Sequence, residues 1–101
     1  MVVIRNVFRL KFGKAREAVA LFKEGNAIQK RIGAGMNLQT RLLTDVTGPF
    51  YTVVLELSVP SMSEFEARAP QLMGDKDWQA NYQKVTALVE SGYREVFSVI
   101  E

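Results

Sequence analysis

The sequence predicts an α+β domain of βαββαβ order, and three features of the chain predict it. Apolar residues alternate with polar ones in four short runs. Between the first and second runs, and again between the third and fourth, the apolar spacing lengthens to three and four. Glycine or proline stands at or near the places where the period changes. With 101 residues, 48% of them hydrophobic, and no stretch that reads as a linker, the chain is expected to form one domain over 1–101.

The first strand runs from Val3 to Phe12. Ile4, Phe8, Leu10 and Phe12 point one way with Asn6 among them, and Arg5, Val7, Arg9 and Lys11 point the other. Gly13 breaks it, and Ala15, Ala18, Leu21, Phe22, Ile28 and Ile32 then mark an amphipathic helix ending near Gly33, with a kink expected at Gly25-Asn26. Met36, Leu38, Thr40 and Leu42 alternate with Asn37, Gln39 and Arg41 in a second strand, and Thr47-Gly48-Pro49 supplies a turn. In the third strand Tyr51, Val53, Leu55 and Leu57 share one face, and Thr52, Val54, Glu56 and Ser58 the other. Ser61 or Ser63 can cap a short helix, each with a glutamate three residues on, and Pro70 should end or bend it near Ala69. A further helix is expected from Asp75. Its stripe is Trp78, Tyr82, Val85 and Val89, and Gly92 is expected to stop it before a fourth strand from Tyr93 to Ile100.

Right-handed crossovers fold this order into a ferredoxin-like antiparallel sheet, 4-1-3-2, with the helices on one face. The other face is then bare, presenting Val7 and Val54 among Arg5, Arg9, Thr52 and Glu56. Such a half-apolar surface predicts a homodimer of two sheets packed face to face. In it Arg9 and Glu56 would pair across neighbouring strands or lie in the cavity between the sheets.

Composition narrows the chemistry. The chain has no histidine and no cysteine, which removes thiol nucleophiles, histidine acid–base pairs, zinc fingers and the usual haem ligands. Asp75, Asp77 and Glu90 lack the spacing of a calcium loop, and Gly33-Ala34-Gly35 follows a helix where a dinucleotide loop would precede one. No metal site and no cofactor are expected. A net charge of +2 argues against nucleic acid, but its distribution is uneven: residues 1–50 carry nine Lys/Arg and three Asp/Glu, residues 51–101 four and eight. The halves are expected to attract each other, within one domain or across two copies. No apolar stretch approaches the roughly 18–20 residues of a membrane span, and no signal-peptide pattern opens the chain, so a cytoplasmic protein is expected.

The start Arg9-Leu10-Lys11-Phe12-Gly13-Lys14, the strand pair broken by Gly48, and Asp77-Trp78-Gln79-Ala80 leading to a final strand resemble NIPSNAP-like members of the dimeric α+β barrel superfamily. The resemblance spans nearly the whole chain and implies the fold and the dimer. Two positions depart from it: Phe12 stands where a proline is expected before the glycine, and Asn6 where the first strand often carries an arginine facing the helices. The superfamily includes cofactor-free monooxygenases in which an Asn, a Trp and a Tyr bind a phenolic substrate whose own carbanion reacts with oxygen. Its haem branches use a histidine that this chain lacks.

Asn6 is the most suggestive single residue, because its parity puts an amide under the helices, where it must find a partner in the protein or in a ligand. Trp78 and Tyr82, one turn apart, would form an aromatic wall of the same pocket or simply pack as core. Tyr51 would add a hydroxyl or pack. Arg9, Arg41 and Glu56 form a second constellation on the bare face, either an ion pair at the dimer interface or a clamp for an acidic ligand. Three functions stay open at this point. The first is a binding or accessory protein for a small apolar or aromatic ligand. The others are a cofactor-independent oxygenase or isomerase acting on an activated aromatic or polyketide-like compound, and a structural dimerisation module.

Overall fold

The computed structural model describes residues 1–101. In chain order its elements are β1 Val2–Leu10, α1 Ala15–Ile32, β2 Gln39–Thr44, β3 Thr52–Val59, α2 Met62–Ala67, α3 Ala69–Met73, α4 Lys76–Thr86 and β4 Val89–Ser98. The strands form one antiparallel sheet ordered β2-β3-β1-β4, the expected order read from its other edge. The molecule measures 37 × 35 × 17 Å. A thickness of 17 Å holds one sheet and one layer of helices and nothing more, since packed layers stand about 10 Å apart.

Local chemistry explains most boundaries. Lys30 and Arg31 stand in the last turn of α1, where cations suit the helix dipole. Of the two serines, Ser61 caps α2, accepting from the Glu64 amide at 3.3 Å. As expected of Pro70, that helix ends just before it, at Ala67, and the proline itself lies in the first turn of α3, a place where its missing N–H costs no bond. Asp75 caps α4, its Oδ1 accepting from the Trp78 amide at 3.0 Å.

Four expectations need correction. The first strand stops at Leu10, and Phe12 is exposed beyond it. The second strand begins at Gln39, after turns over Met36 and its neighbours. Helix α1 runs unbroken through Gly25-Asn26; the glycine is there to admit α4, because a Cβ on it would lie 2.7 Å from Asn81 Oδ1. Helix α4 ends at Thr86, and Gly92 is inside β4. Pairing with β1 decides that boundary: Leu10 stands opposite Val89 and Phe8 opposite Gly92, whose bare Cα lets the phenyl ring approach to where a Cβ would meet it at 3.1 Å.

Register assigns every sheet residue to a face. Toward the helices, Ile4 pairs with Leu57, Asn6 with Leu55 and Arg94, and Phe8 with Val53 and Gly92. The core divides into two groups. Leu10, Ala18, Phe22, Val53 and Val85 form one, and Ile4, Leu57 and Val59 the other, which is closed by Met62 and Phe65. On the bare face one row reads Leu43, Val54, Val7, Tyr93 across the four strands, and the next reads Arg41, Glu56, Arg5, Glu95. Val7 and Val54 are buried even within the protomer, contrary to expectation, because they hold the middle of their row. The apolar exposure on this face belongs to Tyr93 and Phe97, 60% and 49% accessible.

The charge asymmetry resolves inside the domain. Each ion pair joins a cation of the first half to an acid of the second: Arg31 to Asp75 at 2.8 Å and to Asp77 at 3.6 Å, and Arg41 to Glu56 at 2.6 Å. No helix is long and apolar enough to cross a membrane.

Two tests follow from the α1–α4 contact. Asn81 Nδ2 donates to the Leu21 carbonyl at 2.9 Å, so Gly25→Ala should push the amide off that bond and destabilise the protein by about 1–3 kcal/mol. In an Asn81→Ala background the same substitution should be neutral, or stabilising by up to about 1 kcal/mol through helix propensity. Urea denaturation of the four proteins measures the coupling. The Asp75 carboxyl is held below its ordinary pKa, first by the Trp78 amide and then by Arg31. A lowered native pKa means its stabilisation is complete above the unfolded-state value of about 4 and is lost as pH falls through the native value. Asp75→Asn keeps a capping oxygen but not the charge, so its deficit in urea midpoint should shrink steadily below about pH 4.

Candidate functional site

The interior holds four buried polar side chains, Asn6, Gln29, Arg68 and Asn81. They come from β1, α1, the joint between α2 and α3, and α4, and all four line one cavity of 470 Å³ between sheet and helices. Burying such groups costs free energy that a purely structural core avoids by using apolar residues. Here they gather along the gap between the two core groups. The apolar wall is made by Phe8, Phe22, Leu55, Phe65, Leu72 and Val85, with Trp78 and Tyr82 on the α4 side. Those two rings stack at 4.9 Å and 17°, and Tyr82 is 52% exposed.

Partners within the cavity are specific. Asn6 Oδ1 accepts from Arg94 Nε at 2.6 Å, which the register makes inevitable, since Asn6 and Arg94 are directly opposite on β1 and β4. Gln29 Oε1 accepts from a terminal nitrogen of Arg68. Both guanidiniums pack on the ring of Phe65, Arg68 at 4.8 Å and Arg94 at 5.4 Å. The Nε–H of Arg68 and the Oδ1 of Asn26, both on the lining, are buried with no partner. Burial, and secondarily the charge of Arg94, push the Arg68 pKa below its usual value. An arginine still stays protonated there, so the cavity is cationic, and no Asp or Glu lines it.

Of the residues singled out from sequence, Asn6, Trp78 and Tyr82 meet in this cavity. Tyr51 does not. It lies just before β3 with φ +61, its ring against Phe12 at 4.9 Å, and it borders a separate 840 Å³ depression with Phe12, Phe50 and Asp45. Tyr51 keeps to the helix side that alternation assigned to it, packed against the group of Leu10 and Val53, but it sits where α1 begins, away from the cavity. In the second constellation Arg41 binds Glu56 through two nitrogens, at 2.6 and 3.0 Å. Arg9 is not part of it, because it stands opposite Thr52, and the residue opposite Glu56 is Arg5.

Sequence reasoning missed Gln29, Arg68, Asn81 and Arg94. A signal existed for two of them: Asn81 lies three residues after Trp78 on the apolar face of α4, and Gln29 lies seven after Phe22 on that of α1. A polar residue on an apolar stripe carries the same message as Asn6 on its strand. Arg68 and Arg94 needed the helix joint and the β1–β4 register.

No family model and no curated protein matches the sequence. Solved structures match along nearly all of it. A NIPSNAP family protein from Agrobacterium tumefaciens is 28% identical over 96% of this chain and 90% of its own, with a TM-score of 0.84. An uncharacterised NIPSNAP domain protein from Burkholderia xenovorans is 23% identical over 98% and 94%, at 0.83. An antibiotic biosynthesis monooxygenase is 12% identical over the full length of both chains, at 0.77, and is a relative in fold alone.

Proposed function

We propose that this chain, NIPSNAP-like in its residues and in its structure, is a small-molecule binding protein that holds its ligand between sheet and helices and works as a homodimer. The observation that carries the reading is the convergence of all four buried polar side chains on one cavity otherwise walled by aromatic and aliphatic groups. Its 470 Å³ falls within the range of small-molecule sites, about 300–1,000 Å³. Binding is favoured over turnover because the lining has no carboxylate and the chain no histidine, so no group there is suited to take a proton near neutral pH. Cofactor-independent oxygenation is the second reading. Asn6, Trp78 and Tyr82 meeting in one cavity favours it, but the substrate would have to ionise without a protein base.

The homodimer is supported by the pattern of the bare sheet face. The row Arg41, Glu56, Arg5, Glu95 alternates in sign, and a two-fold axis along the strands between β1 and β3 lays it on its own reverse, so that each cation meets an anion. The same operation sets Leu43 against Tyr93 and Val54 against Val7. A second copy of this chain therefore fits the face in both charge and polarity.

Both parts can be tested. The wild-type protein should bind the neutral aromatic 2-naphthamide in calorimetry, and Trp78→Ala should weaken it at least tenfold, about 1.4 kcal/mol, without loss of the folded circular-dichroism signal. Equal affinity in the two proteins would place the aromatic site elsewhere. In sedimentation the wild type should run as a dimer at micromolar concentration and the Tyr93→Glu, Phe97→Glu double variant as a folded monomer. A monomeric wild type would sink the dimer.

A further inference from the structure

We propose that Arg68 and Arg94 are the anion-binding pole of the cavity and take the carboxylate of a ligand whose apolar or aromatic body lies along Phe22 and Trp78. This rests on the reading of the cavity as a small-molecule site and specifies its ligand class. Arg68 is 4% exposed and is the one charged side chain in the buried interior. A buried arginine is ordinarily matched by a carboxylate, since an uncompensated charge in a low-dielectric interior is costly. This one faces the amide of Gln29, the ring of Phe65 and a second arginine. Every ion pair of the protein is elsewhere, at Arg31 and Arg41.

The arrangement is costly. Two guanidiniums share one aromatic ring with no anion between them, and the Nε–H of Arg68 is buried without an acceptor. Neighbouring residues hold both in place: Gln29 fixes Arg68 from α1, and Asn6 fixes Arg94 from β1 through its Nε. A planar group with two acceptor oxygens would match a guanidinium fork here, which is the description of a carboxylate. The remaining lining, eleven apolar residues of twenty-one, suits a hydrocarbon or aromatic body over a sugar or a polyphosphate. Arg94 is exposed at the edge strand and Arg68 lies deeper, so the acid group would pass the first to reach the second.

Calorimetry with 2-naphthoate and its neutral isostere 2-naphthamide, on the full chain at pH 7, tests the pole. The acid should bind wild type at least tenfold more tightly than the amide. Arg68→Met should abolish that preference by weakening the acid alone, and Arg94→Gln, at the cavity mouth, should reduce it about threefold, about 0.6 kcal/mol. Ligand-free thermal melting supplies a readout that a structural arginine would move the other way. If Arg68 is kept for binding, Arg68→Met should melt no lower than wild type, because the unpaired buried charge is gone. Equal affinity of acid and amide for wild type would overturn the pole and leave the cavity reading standing, and so would an acid preference that survives both substitutions. Failure of both compounds to bind would overturn the cavity reading and this inference with it. Should Arg68→Met not fold, the Arg94→Gln arm decides.

Discussion

Strand β1 lies between β3 and β4, and its register against both sets what each face of the molecule can do. Its even-numbered residues, Ile4, Asn6, Phe8 and Leu10, go under the helices, and its odd-numbered ones, Val3, Arg5, Val7 and Arg9, go to the bare side. A slip of one residue against its neighbours would drive Arg5 and Arg9 into the core and expose Ile4, so the pairing is strongly specified. The same register brings Asn6 to Arg94 on one side of the sheet and Arg5 between Glu56 and Glu95 on the other. The inner polar cluster and the outer charged row are thus two faces of a single alignment.

Thinness is the second constraint. One helical layer over four strands buries two separate apolar groups, and a gap lies between them. Pro70 shapes that gap. It has no N–H to continue the α2 ladder, so the helix stops at Ala67, and Arg68 becomes the joint between α2 and α3 with its side chain directed inward. Gly25 and Gly92 do the complementary work, admitting Asn81 to α1 and the Phe8 ring to β4. Residues that read as interruptions of regular structure therefore define the cavity's walls.

The periods of 2 and 3.6 made the strand faces, the helical layers and the sheet order legible, because each follows from alternation together with crossover handedness. They failed where one residue satisfied two patterns. Val89 continues the stripe of Trp78, Tyr82 and Val85 at the next helical position and also opens a β-strand; pairing with Leu10 settles the matter, and no local propensity contains that information. Arg9 was assigned to Glu56 by parity alone, which fixes a face but not a partner. The cation opposite Glu56 is four residues away along the same strand. Tyr51 escaped for a different reason: alternation put it on the correct side of the sheet, but a face does not say at which end of the sheet a residue sits, and Tyr51 lies by the start of α1.

Charge placement then separates two kinds of arginine. Arg31 and Arg41, from the cation-rich half, reach acids of the other half at the protein surface, where exposed pairs contribute modestly. Arg68 and Arg94 belong to the acid-rich half, with eight Asp and Glu around them in sequence, yet none of those acids enters the cavity. Glu64 and Glu66, close in sequence to Arg68, lie on the exposed side of α2, and Glu95, beside Arg94, points to the opposite face of the sheet by strand alternation. The secondary structure that carries the arginines inward thus carries their neighbouring acids outward. A folded chain that keeps this separation leaves its interior cationic, which is the charge that the proposed carboxylate ligand would balance.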